Sequence, residues 1–303
     1  FLSAFFILLS RFFVITKFVR IQHDESLGRE IATYAAAKGA NVYMLCRSKE
    51  RAEKARDEII ESTSNPNVNI LLADVGELSE VKLAVAELQS KESKIDCLVC
   101  NAGVLLNKKE MTSDGNEATF ASHLLGGSYF LSQSLMPQLQ ASAKSGQDPR
   151  VIFVTSAGMY AAKFPSWDVA TSTAEGQEYD GVMAYSHAKR GQVILAGELA
   201  KKNDGIMYMT GHPGWSDTKA VEDAFGKDKK YLEPLRSAWE GAEGFTWLLG
   251  AKATKLQNGG FYLDRKLQPK HLAGPFMSEG TFTKSSDSEV KEFMENLKKA
   301  CGF

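Results

Sequence analysis

The chain has 303 residues, 44% of them hydrophobic, with 36 basic against 37 acidic residues and a net charge of −1. This is enough apolar sequence for one large buried core, and the charge balance excludes an electrostatic case for nucleic acid or an anionic surface as partner. The four cysteines are too few for a disulfide scaffold, and three of them sit in apolar runs that suit a reducing compartment.

Residues 1–11 are apolar up to Arg11 and fall short of the ~20 residues that span a bilayer. They read as an N-terminal extension: an anchor or signal remnant, or a stretch foreign to the native product. Membrane association through residues 1–13 is the matching partner expectation. Residues 12–303 read as a single domain. Phe12–Thr16 is the first predicted strand, residues 27–38 an Ala-rich helix stopped by Gly39, and residues 42–46 the second strand. A charged helix over 49–62, the strand Val68–Leu72, the helix Leu78–Lys91 and a strand over 95–100 follow. Residues 116–143 read as a long helical region interrupted near Pro137. Then come a strand over 151–155, a helix over 185–201, a strand over 206–210, the helix Ala238–Gly250 and a strand over 260–263. Val290, Phe293, Met294 and Leu297 form an i, i+3, i+4, i+7 stripe, with Ser286 and Glu289 as its capping box.

Uniformly apolar strands alternating with helices predict an α/β fold: a doubly wound parallel sheet of Rossmann type in three α/β/α layers. In such a fold ligands bind beyond the carboxyl ends of the strands. Cys97 and Cys100 form a C-x-x-C, but residues i and i+3 of a strand face opposite ways. They read as buried hydrophobes and not as a metal or redox pair. The five histidines show no metal-ligand spacing, and no metal is expected.

The strand ends carry the chemistry. Asn101-Ala102-Gly103 follows the fourth strand, Ser156 the fifth, and Pro213-Gly214 the sixth. The helix after the fifth strand opens at Tyr185, with Lys189 on the same face four residues on. A neighbouring lysine lowers a phenol pKa from ~10, and a serine hydroxyl opposite can hold a substrate oxygen. Together they make a proton-transfer device for a carbonyl gaining, or an alcohol losing, a hydride.

Over nearly its whole length the chain resembles the short-chain dehydrogenase/reductase family, through Asp74-Val75, Asn101-Ala102-Gly103, Ser156, Tyr185-x-x-x-Lys189 and Pro213-Gly214. Within that family it is most similar to the dehydrogenase/reductase member 12 group, through stretches such as Tyr179-Asp180-Gly181-Val182-Met183-Ala184-Tyr185 and Phe261-Tyr262-Leu263-Asp264-Arg265-Lys266. The resemblance implies that Tyr185 is the general acid/base, that Lys189 lowers its pKa and binds the nicotinamide ribose, and that Ser156 orients the substrate oxygen. It implies cofactor contacts from Gly28, Asp74, Val75, Asn101, Ala102 and Gly103, and from Pro213, Gly214 and Thr218 at the nicotinamide end. Arg47, directly after the second strand where an acid would favour NAD, points to NADP(H) over NAD(H).

Two positions depart from the family pattern. The glycine-rich turn that brings backbone N–H groups to the pyrophosphate is replaced. Eleven residues, from Lys17 to Leu27, separate Thr16 from Gly28, more than that pattern has, and they include Asp24 and Glu25. Either cofactor binding is impaired or this segment is foreign to the native product. His123 stands where the family often has an asparagine of the proton relay; a histidine can also relay protons. His187 reads as a surface residue. Trp167 lies in the long segment between Ser156 and Tyr185, which reads as a substrate-side loop. The expected function is an NADP(H)-dependent oxidoreductase of a carbonyl or a primary or secondary alcohol, a lipophilic one included. The alternative is a catalytically impaired binding protein on the same fold.

Overall fold

The structure, a computed structural model, describes the backbone of residues 12–16 and the whole of residues 26–202, 204–217, 221–222, 226–272 and 282–303. The apolar extension, most of the replaced glycine turn and Thr218 lie outside the described residues.

Among the described residues eight strands form one sheet, in the order β3-β2-β1-β4-β5-β6-β7-β8. They are β1 (Phe12–Thr16), β2 (Asn41–Cys46), β3 (Val68–Leu72), β4 (Cys97–Cys100), β5 (Arg150–Val154), β6 (Met207–Gly211), β7 (Phe261–Leu263) and β8 (Lys266–Gln268). Strands β1 to β7 run parallel, and β8 turns back antiparallel on β7. The order reverses between β1 and β4, which leaves a crevice at their carboxyl ends.

Alternate residues of each strand enter different cores. Tyr43, Leu45, Leu98, Cys100, Val151 and Phe153 pack on one face. Val42, Met44, Cys97, Val99, Ile152 and Val154 pack on the other. The first core is closed by side chains of the helices Leu78–Lys91, Gly181–Ala200 and Asp287–Ala300 and of the helical residues 118–134. The second is closed by the helices Leu27–Ala37, Lys49–Thr63 and Ala238–Gly250. Burial on both faces is why the strands carry no polar alternation. Cys97 and Cys100 accordingly lie on opposite sides of the sheet, buried and outside any disulfide.

Several element bounds differ from expectation. The Tyr185 helix starts at Gly181, because the Asp180 carboxylate caps it by accepting from Val182 N and Met183 N at 2.9 and 3.0 Å. Gly181 is required there: a Cβ would stand 1.8 Å from the Leu106 carbonyl oxygen. The long helical region begins at residue 118, where Glu117 accepts from Thr119 N and Phe120 N at 2.9 and 2.7 Å. It widens into π-type turns over Ala121–Phe130, breaks at Leu135 and resumes as Met136–Lys144 with Pro137 in its first turn. Strand β8 was not expected; it follows a tight turn in which Asp264 and Arg265 both take left-handed φ, 48° and 63°. The last helix keeps its expected stripe and capping box.

The π-type stretch is pressed against the turn after β3. A Cβ on Gly126 would lie 2.1 Å from the Val75 carbonyl oxygen, so Gly126→Ala forces two backbones apart. A loss of about 1–3 kcal/mol is expected, read as a lower denaturation midpoint with helix content retained. A midpoint equal to that of the unsubstituted protein would show that this approach is not a constraint.

Candidate active site

The carboxyl ends of β4 and β5 and the first turns of the Gly181–Ala200 helix bring four of the expected catalytic residues together. Lys189 is buried, and its ammonium donates to the Val154 carbonyl at the end of β5, at 2.6 Å. Thr155 returns the tie, its hydroxyl donating to the Lys189 carbonyl at 2.8 Å. These two bonds fix the helix over the strand end. One turn earlier, the Tyr185 ring lies 5.4 Å from the Lys189 nitrogen, and the Ser156 side chain acts on its hydroxyl, favouring the ionised form. Ser156 also accepts from Gly158 N at 3.2 Å, which sets its side chain at the start of a short helical turn. His123 reaches the same place from the π-type stretch, its ring edge-on to Tyr185 with centroids 5.3 Å apart.

Gly103 completes this group. A Cβ there would stand 1.7 Å from His123 Cε1, so the Asn101-Ala102-Gly103 loop is pressed directly on the imidazole. His123 Nε2 lies 2.9 Å from the Val104 carbonyl. A carbonyl only accepts, so Nε2 carries the proton, and the buried Nδ1 has no hydrogen-bond partner among the described residues. Burial, and then the nearby Lys189 charge, push the His123 pKa well below its ordinary value. Burial pushes Lys189 down to about 7.

Tyr185 departs from the expectation that its lysine neighbour would lower its pKa. Burial raises it, and only the Ser156 side chain works the other way. The reason is desolvation, which penalises the phenolate; the Lys189 ammonium is meanwhile directed at the Val154 carbonyl.

The residues expected at the adenine end gather beside β2 and β3. Arg47 Nη1 is 3.0 Å from Asp74 Oδ2. Asp74 Oδ1 accepts from Gly76 N at 2.9 Å, and Asp74 N donates to Glu80 Oε2 at 2.7 Å. Val75 is buried behind them. Gly28 is buried in the first turn of its helix, whose cap is the Ser26 side chain. Pro213 and Gly214 follow β6, across the crevice. One other expectation shifts, that for His187. His187 is half-buried, and burial lowers its pKa; Trp167 packs edge-on against Phe120, 5.1 Å between centroids, and so braces the long helix.

Gln192 is a site residue that the sequence reading missed. Its amide donates to the His123 carbonyl and to Ser128 Oγ at 3.3 and 3.2 Å. The signal was available: positions 185, 189 and 192 make an i, i+4, i+7 stripe. The π-type turns that place the His123 carbonyl within reach have no comparable periodic signature. Among the described residues no group of three or more His, Cys, Asp or Glu is arranged to hold a metal ion, and no helix is long and apolar enough to cross a membrane.

The depressed Lys189 sets a direction for stability against pH. The unfolded chain keeps this proton up to ~10.4, whereas the folded chain releases it near 7. Stability should therefore climb from pH ~7 to ~10, by at most ~1.4 kcal/mol per pH unit. Lys189→Met should flatten that climb in denaturant titrations across the range; an unchanged slope would mean that the ammonium stays charged in the fold.

The profile of the family described as short chain dehydrogenase matches residues 23–166. Human dehydrogenase/reductase SDR family member 12 is 33% identical over 276 residues, covering 90% of this chain and 83% of that protein. Bovine retinol dehydrogenase 12 is 28% identical over 249 residues, covering 80% and 76%. Among solved structures, the 3-ketoacyl-(acyl-carrier-protein) reductase of Brucella melitensis, complexed with NADH, superposes with a TM-score of 0.62 at 22% identity, over 83% of this chain and 95% of that one. The strand-end loops, the Tyr-x-x-x-Lys helix and these likenesses place the chain in the short-chain dehydrogenase/reductase family of NAD(P)-binding oxidoreductases, which act on small molecules.

Proposed function

We propose that the protein interconverts a carbonyl and an alcohol, with Tyr185 exchanging the proton at the substrate oxygen. The observation that carries this reading is the contact group of Ser156, Tyr185, Lys189 and His123 at the ends of β4 and β5. Ser156 lies at the strand end and acts on the Tyr185 hydroxyl, so a substrate oxygen can be held between two hydroxyls. Tyr185, kept protonated by burial, is set to donate when the substrate is a carbonyl. Lys189 carries the charge that favours the phenolate in the reverse direction once its ammonium turns from Val154.

The residues present fit a nicotinamide nucleotide at the strand ends. Lys189 is a buried donor at the end of β5, and Arg47 and Asp74 form a polar pair after β2 and β3. Asn101, Ala102 and Gly103, with Lys189, Pro213, Gly214 and Thr218, would hold the nicotinamide half; Arg47, Asp74, Val75 and Gly28 would hold the adenosine half. The bound nucleotide would supply or accept the hydride. Arg47 favours the 2′-phosphate form, because a guanidinium can take a phosphate in a charged fork and the loop offers no carboxylate of its own for a ribose hydroxyl. The substrate class is a lipophilic carbonyl or alcohol, in keeping with the retinoid named for the bovine relative.

Tyr185→Phe should abolish oxidation of NADPH in the presence of an aldehyde or ketone that the unsubstituted protein reduces, while NADPH still raises the melting temperature. Retained turnover would remove Tyr185 from the reaction. Arg47→Glu should cost NADPH roughly tenfold or more in affinity and leave NADH nearly unaffected; equal losses for both would defeat the NADP(H) preference. A protein that NADPH does not stabilise even at millimolar concentration would instead be a non-catalytic binder, as the replaced turn at residues 17–27 would allow.

A further inference from the structure

The turn after β6 is held by a device outside the contact group around Tyr185. Gly214 has a left-handed φ of 76°. Its N–H donates to His212 Nδ1 at 3.0 Å, which ties the turn to the end of β6. Residue 236, distant in sequence, grips the same turn through its backbone. Arg236 N donates to the Trp215 carbonyl at 2.8 Å, and Asp217 N to the Arg236 carbonyl at 2.7 Å. The Arg236 side chain lies flat against Gly214, since a Cβ there would stand 2.8 Å from three guanidinium atoms. The same guanidinium donates to the Pro213 carbonyl at 3.3 Å and meets both carboxylate oxygens of Asp264, at 2.7 and 2.8 Å.

Asp264 is a firm anchor. It occupies the two-residue turn between β7 and β8, and β7 is tied to the same strand end through the bond from His212 N to the Tyr262 carbonyl, 3.0 Å. The chain of contacts therefore runs from the sheet edge, through Asp264 and Arg236, to both residues of the Pro213-Gly214 turn. Half-exposed ion pairs contribute little on their own. The two-point fork, however, fixes the plane of the guanidinium, and with it the surface on which Gly214 rests.

We propose that Arg236 and Asp264 form a clamp that positions the Pro213-Gly214 turn for the nicotinamide half of the cofactor. Both are positioning residues, and the clamp acts on that half and not on the adenosine half. This rests on the assignment of Pro213 and Gly214 to the nicotinamide end. A lysine cannot replace Arg236, because a point charge neither forks onto Asp264 nor presents a flat face to Gly214.

Arg236→Gln, Arg236→Lys and Asp264→Asn test this with two readouts. Hydrogen exchange without cofactor reads the clamp alone: the Gly214 and Asp217 amides should exchange faster in all three variants, while the strand amides of β5 stay protected. Calorimetric titration reads its consequence. NADPH should bind roughly three- to tenfold more weakly, and adenosine 2′,5′-bisphosphate, which lacks the nicotinamide half, should bind as before. Unchanged exchange at Gly214 and Asp217 overturns the clamp, as does an equal loss of both ligands. Full retention by Arg236→Lys overturns the requirement for the fork. Faster exchange with unchanged NADPH affinity would keep the clamp but overturn the assignment of the turn to the nicotinamide end.

Discussion

A parallel sheet covered on both faces leaves no place for an unpartnered polar side chain along its strands, because the interior is dry. β4 obeys this throughout, with Cys97, Leu98, Val99 and Cys100 all buried. Where a charge does enter, it is fully tied: Arg150, at the start of β5, donates to the carbonyls of Leu248 and Ala251 at the end of the Ala238–Gly250 helix, at 2.6 and 3.0 Å. Reactive side chains are thereby confined to the carboxyl ends, where the strands stop and Asn101, Thr155, Ser156 and His212 emerge. The location of the site follows from how the core is built.

Burial also sets the protonation of the site. Three titratable groups lie in contact, and each is driven toward its neutral form: His123 and Lys189 downward, Tyr185 upward. Desolvation, which penalises the charged species, is the largest cause in all three, and the Lys189 charge adds to it at His123. His123 has its one ring proton committed to Val104, so in this arrangement it is a packed neutral ring beside Tyr185. The Lys189 ammonium holds the helix to β5 through Val154. A group that both anchors the fold and carries catalytic charge couples stability to function, and that coupling is written into its depressed pKa.

Close backbone approaches do the remaining positioning. Gly103 admits the His123 ring, Gly126 admits the Val75 carbonyl, Gly181 admits the Leu106 carbonyl and Gly214 admits the Arg236 guanidinium. Each lies where two elements distant in sequence meet, and each removes a methyl group that would hold them apart. The first three join the loops after β3 and β4 to the two helices that carry His123 and Tyr185, and the fourth ties the loop after β6 to the segment before the Ala238–Gly250 helix.

Much of this was legible from sequence because its signals are local. Apolar runs and helical spacing located β1 to β7 and the last helix, and Tyr185 and Lys189 share a face simply because a helix repeats every 3.6 residues. The opposite facing of Cys97 and Cys100 follows in the same way from the two-residue repeat of a strand. Tertiary structure alone decided the rest. A glycine at position 181 argues against a helix on propensity, and only the Asp180 cap and the Leu106 carbonyl explain its place there. The sign of the Tyr185 shift is set by burial, which only the packed structure decides. Arg236 and Asp264 are ordinary surface types, and their pairing exists only because β8 folds back beside β7. Periodicity identifies which residues face a core; burial and long-range packing determine what charge those at its edge can keep and which partners they meet.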